Sequence, residues 1–130
     1  AVCDCFGPSE FLTLPRHEGS ERRTLEQVAN SNGAKLLGAT VRDVPELARD
    51  ASALDQVSAD DAPFLLMHGR EDPGVPLEQR RKLHEKLAAA GVESTFHIVE
   101  GAGHGGKEFR SHQVRAKVLA FFRKHLDSAP

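Results

Sequence analysis

Two turns in this chain carry side chains able to perform acid–base chemistry together. The first, His68-Gly69-Arg70-Glu71-Asp72-Pro73-Gly74-Val75-Pro76, follows the apolar run Phe64 to His68 and places Asp72 four residues beyond it. The second, Gly101-Ala102-Gly103-His104-Gly105-Gly106, follows Thr95 to Val99 and places His104 five residues beyond Val99. An aspartate that accepts a hydrogen bond from one imidazole nitrogen fixes the tautomer and stabilises the imidazolium. The other nitrogen is then left to take a proton from a nucleophile. Such a pairing requires both turns to emerge at one edge of one sheet.

The surrounding pattern supplies that geometry. Phe64 to His68 is continuously apolar up to its histidine and bounded by Pro63 and Gly69, as expected of a strand buried on both faces. Leu77 to Ala90 predicts a helix with Leu83 and Leu87 on one face and Arg80, Arg81 and Lys82 on a solvated one, closed by Gly91. Ser94 to Val99 predicts the next strand. A strand, a helix and a second strand imply parallel pairing, which brings Asp72 and His104 to the same carboxyl edge, where open parallel sheets place their reactive groups. A last helix spans about Lys107 to Leu126, with Val114, Val118, Phe121, Phe122 and Leu126 as its apolar stripe. Upstream, Ala1 to Phe6 predicts a short strand stopped by Gly7-Pro8. Residues 11–62 are mixed, with helices expected over Ser20 to Ser31 and Pro45 to Asp55, and are read as a peripheral cap or insertion on the core.

These motifs resemble those of the α/β-hydrolases, in particular the esterase and lipase branch with an extra cap. The residues that carry the resemblance are His68-Gly69-x-x-Asp72-x-x-Val75-Pro76, a helix, then Val99-x-Gly101-Ala102-Gly103-His104-Gly105 before a final helix. Gly7 to Phe11 and the stretches around Leu37-Gly38 and Glu46 to Ala48 also look like the segment after that family's sixth strand, so the resemblance covers nearly the whole chain. It implies a partial α/β-hydrolase fold: a three-stranded parallel sheet, strands six to eight, with flanking helices and a helical cap over 11–62. It also implies that Asp72 and His104 are the acid and base of a Ser, Asp, His triad. The implied activity is carboxylic ester hydrolysis of a small-molecule ester, without a metal or organic cofactor.

The family's nucleophile lies in a Gly-x-Ser-x-Gly turn, and no such pentapeptide occurs in these 130 residues. Ser9, Ser20, Ser31, Ser52 and Ser58 lack the flanking glycines of that strained turn and read as surface or capping serines. The chain opens at Ala1 inside an apolar run, and the expectation is a piece cut from a longer protein. Alone it should be inactive, its partner being the missing N-terminal half. The alternative is a non-catalytic, hydrolase-like interaction module that self-associates through the exposed edge of its first strand.

Competing motifs are weaker. Gly101-x-x-x-x-Gly106-Lys107 imitates a phosphate-binding loop, but Glu108 stands where a serine or threonine should ligate magnesium. The seven histidines show no metal-ligand spacing, and those on helices, His84, His112 and His125, are expected on solvated faces. Glu71 is an alternative triad acid only if its loop shifts by one residue. Cys3 and Cys5, alternating on one strand, read as small buried side chains rather than a disulfide or metal pair. Seventeen Lys plus Arg against nineteen Asp plus Glu leave a net charge of −2, which argues against a nucleic-acid surface. No apolar run approaches the roughly 20 residues of a membrane span.

Overall fold

The computed structural model describes residues 1–14 and 25–127. Three strands, β1 (Val2–Cys5), β2 (Phe64–Gly69) and β3 (Ser94–Val99), form a parallel sheet in the order β1-β2-β3, with Cys5 beside Met67 and Gly69 beside Val99. Among the described residues six helices accompany them: α1 (Leu25–Ala29), α2 (Asn32–Leu37), α3 (Pro45–Asp50), α4 (Ala53–Gln56), α5 (Leu77–Ala89) and α6 (His112–Leu126).

Side-chain alternation along β2 divides the core in two. Leu65 and Met67 face α6 and join Val99, Ala102, Val114 and Phe121, with Cys3 and Cys5 packed alongside. Leu66 faces the other way, onto Leu83 and Leu87 of α5 and Val92. Both faces of the central strand are thus covered by helices, which is why its sequence is apolar without alternation. The cysteines are free and half-buried; burial, with each other's proximity, pushes the Cys3 thiol up to about 12, so it stays protonated and unreactive.

The helices differ from expectation where side chains compete with the backbone. The helix expected over Pro45 to Asp55 is split into α3 and α4 at Ser52. The Ser52 hydroxyl donates back to the Ala48 carbonyl at 2.6 Å and accepts the Phe11 N–H at 3.1 Å, while Leu54 N–H donates to the Ser9 carbonyl. The segment after β1 is thereby tied to this corner. α2 was not anticipated, although both its ends are marked: Ser31 accepts from Ala34 N–H, and Gly38 closes it in the left-handed region at φ 74°. Of the helix expected over Ser20 to Ser31, α1 is its observed part, and residues 20–24 lie outside the described residues.

The last helix begins later than expected, at His112, where the Ser111 hydroxyl caps Val114 N–H; a single 3₁₀ turn, Glu108–Arg110, precedes it. Leu126 is exposed rather than part of the buried stripe. Arg80 departs furthest from its expected solvated face. It is 1% exposed, paired with Asp4 of β1, and donates to the Gly7 carbonyl, while Arg81 and Lys82 are exposed.

Candidate active site

The two turns after β2 and β3 are interlocked through their backbones. Arg70 N–H donates to the Val99 carbonyl and Glu71 N–H to the Ala102 carbonyl at 2.9 Å. This closeness is why position 69 is glycine: a Cβ there would lie 2.1 Å from the Gly103 carbonyl oxygen and 2.3 Å from that of Ala102.

Asp72 is held inside this junction with its side chain 1% exposed. One carboxylate oxygen, Oδ1, accepts the N–H groups of Gly74 at 2.8 Å and Val75 at 2.9 Å. The other, Oδ2, lies 2.8 Å from His104 Nδ1. Burial by itself would raise the Asp72 carboxyl, but hydrogen bonds from Val75, His104 and Gly74 outweigh it and hold the group below its ordinary value. Asp72 is therefore a carboxylate, an acceptor only, and His104 donates to it from Nδ1. His104 itself is half exposed, at 49%, and its Nε2 makes no hydrogen bond among the described residues. One end of the imidazole is anchored and the other is open, the arrangement a proton-transferring base needs.

The glycine loop shapes that exposure. Gly105 and Gly106 adopt φ of 99° and 119°, and Gly105 N–H turns back onto the Gly103 carbonyl at 2.9 Å, presenting His104 at the tip. The loop does not open a helix, since Lys107 precedes only the 3₁₀ turn; a phosphate would find no α-helical N-terminus there.

Sequence reasoning missed two neighbours of this pair. Phe6, the residue after β1, is a non-glycine residue with positive φ, 49°. Its ring lies 5.0 Å from that of His104 and meets Phe109 edge-on at 4.9 Å, walling one side of the imidazole. The Ala1 to Phe6 run gave no sign of a left-handed residue. The second is His68, a packed residue of β2 whose Nε2 lies 3.2 Å from Asp72 Oδ2 and 2.8 Å from the Val75 carbonyl.

Of the other candidates, Glu71 is exposed, and the carboxylate meeting His104 belongs to Asp72. Ser9 and Ser52 are not surface serines. Both are 1% exposed, Ser9 bonded through its N–H and hydroxyl to Gln79 of α5. Ser31 caps α2, Ser58 bonds Asp60 and Asp61, and Ser20 lies outside the described residues. Among the helical histidines, His112 is exposed as expected. His84 and His125 are half-buried, His84 bonded to Ser94 at 2.9 Å and His125 set against the Phe121 ring. Among the described residues no three His, Cys, Asp or Glu side chains converge as metal ligands, and no helix is long and apolar enough to cross a membrane. A cleft of about 360 Å³ lies between β3 and α6, lined by residues such as His97, Lys117 and Phe121, away from His104.

Comparison with known proteins agrees with the fold. Esterase LipC of Mycobacterium tuberculosis (strain ATCC 25618 / H37Rv) is 40% identical over 62 residues, which are 47% of this chain and 15% of that protein. A truncated form of carbohydrate esterase from gut microbiota superposes with a TM-score of 0.79 at 28% identity, covering 95% of this chain and 41% of that one. Thermogutta terrifontis esterase 2 phosphonylated by sarin gives a TM-score of 0.56 at 25% identity, covering 64% and 32%. The chain thus spans less than half the length of each of these proteins. Its three parallel strands and flanking helices form a partial α/β-hydrolase fold. The BD-FAE profile matches residues 1–87, from β1 into α5, and the chain belongs to the BD-FAE family of α/β-hydrolase esterases.

Proposed function

We propose that this chain supplies the acid and base of a serine carboxylic ester hydrolase whose nucleophile lies outside these 130 residues. His104 Nε2 takes the serine proton as the hydroxyl attacks the ester carbonyl, and returns it to the leaving alcohol. Water then attacks the acyl-enzyme by the same route, releasing the acid and the free serine. Asp72 stays ionised throughout, holding the Nδ1–H tautomer and stabilising the imidazolium. The observation that carries this reading is the 2.8 Å contact between a buried, doubly N–H-bonded carboxylate and a half-exposed imidazole. The LipC and carbohydrate-esterase similarities favour an ester as substrate. Residues 11–62 are read as the cap or insertion, and of its described residues Leu54 and Val57 join the core on the α5 face, while Lys86 Nζ donates to the Leu54 carbonyl.

The pure chain should neither hydrolyse short-chain p-nitrophenyl esters nor be labelled by a fluorophosphonate. Adding an upstream segment bearing Gly-x-Ser-x-Gly should confer both properties, and His104→Ala should then remove turnover. Serine-type turnover by the chain alone, blocked by the fluorophosphonate, refutes the external nucleophile. A second role, self-association, is favoured by the position of β1 at the edge of the sheet with Val2 exposed. Sedimentation at high micromolar concentration should show a dimer or larger species; a strict monomer counts against it.

A further inference from the structure

We propose that His68 is a positioning residue, whose imidazole fixes Val75 and through it holds the Asp72 carboxylate in line with His104. The inference rests on the reading of Asp72 and His104 given above and adds a third side chain to it. His68 is completely buried, one residue before the end of β2. Its Nε2 faces two oxygens, the Val75 carbonyl at 2.8 Å and Asp72 Oδ2 at 3.2 Å. Neither oxygen carries a hydrogen, so the proton belongs to His68 Nε2 and is donated to the Val75 carbonyl, with Asp72 Oδ2 beside it as an electrostatic neighbour. Val75 in turn donates its own N–H to Asp72 Oδ1. His68 thus holds Val75 by its carbonyl while Val75 holds Asp72 Oδ1 by its N–H, and the His68 ring lies against Oδ2, the oxygen that His104 meets.

The other nitrogen of His68 provides an independent argument. Nδ1 is buried and has no hydrogen-bond partner. An orphaned buried acceptor is unfavourable, and a leucine or phenylalanine would fill the same space without it. A histidine at this position is therefore explained by its Nε2–H and not by packing. The titratable and charged groups that act on His68 are Asp72, Arg80 and His104; burial is the largest influence and disfavours the charged ring. Its Nε2–H is spent on the Val75 carbonyl, so it fixes the turn without displacing His104 from Asp72 Oδ2.

The test is nuclear magnetic resonance of the histidine side chains in this chain. At neutral pH the His68 nitrogens should show the tautomer protonated at Nε2 and bare at Nδ1, and the His104 Nδ1–H should give a downfield, slowly exchanging resonance. His68→Phe should speed exchange of that His104 proton about tenfold, the low end for losing a hydrogen bond to a charged group. His68→Gln, which keeps an N–H near the Nε2 position, should restore most of the protection. Asp72→Asn separates the two levels of argument. If it leaves the His104 resonance unchanged, the Asp72–His104 couple itself is wrong. If it abolishes the resonance while His68→Phe, folded by circular dichroism, leaves it intact, only the role of His68 is wrong. Should both His68 variants unfold, the wild-type tautomer decides: an Nδ1–H or cationic His68 overturns the proposal.

Discussion

Of the polar pairs around this small sheet, Arg80–Asp4 and Asp72–His104 are built in opposite senses. Arg80 and Asp4 join α5 to β1. There the cation is sealed, with its side chain 0% exposed, and the carboxylate keeps 31% of its surface. Asp72 and His104 join the turns after β2 and β3. There the carboxylate is sealed, and the half-exposed partner is the imidazole. The Arg80 guanidinium is a donor only and is sealed from solvent, so the first pair can only hold elements together. The second pair fixes its acceptor with backbone N–H groups and leaves outside an imidazole, a ring able both to accept and to donate a proton. The difference teaches that what separates a holding pair from the acid–base pair proposed above is which member is open, not the strength of the pairing.

Substitutions that strike one pair and spare the other sharpen this contrast. The largest effect expected is on catalysis in the longer serine hydrolase proposed above. There His104→Ala should lower kcat by about 10⁴-fold, while its urea midpoint barely moves. A comparable loss of stability and activity together would mean that the pair is structural. Next, Gly69→Ala forces a Cβ into the backbone joining the two turns and should cost about 3 kcal/mol in urea unfolding, the upper range for overpacking. Arg80→Ala should cost about 2 kcal/mol. That is less than the 3 to 5 for a fully sealed pair, because solvent screens the part-exposed Asp4 that remains.

The smallest effect is a pH dependence at Asp72. Because its carboxyl is held below the ordinary value, its stabilisation is complete above about pH 4, the unfolded-state range, and is lost as pH falls through the folded value. The stability gap between the wild type and Asp72→Asn should therefore be flat from neutral pH to about 4 and shrink below it. A gap that widens on acidification would contradict the depressed value.

Much of this was legible in the residues themselves. β2, β3 and α5 begin and end within a residue of where the patterning put them, because Pro63, Gly69 and Gly91 punctuate strongly apolar or strongly helical runs. The expectation failed where a side chain found a distant partner. Arg80 shares the helix surface with Arg81 and Lys82 in any local view, and only the seating of α5 against β1 and Asp4 buries it. Ser9 and Ser52 look like surface serines until Gln79 and Phe11 reach them from elsewhere in the chain. The same competition for backbone groups broke the helix expected from Pro45 onward.

The sequence by itself determined the parallel order, since a helix between two strands leaves little other choice, and so it determined that Asp72 and His104 share an edge. It also determined that no Gly-x-Ser-x-Gly turn accompanies them. Only the tertiary structure decided that one carboxylate oxygen is occupied by two backbone N–H groups while the other meets His104. It also placed Phe6 against the exposed ring and His68 behind the buried carboxylate. The physical reason is range. Periodicity and turn residues act between near neighbours along the chain, whereas the orientation of a carboxylate depends on atoms that meet only after the turns have interlocked.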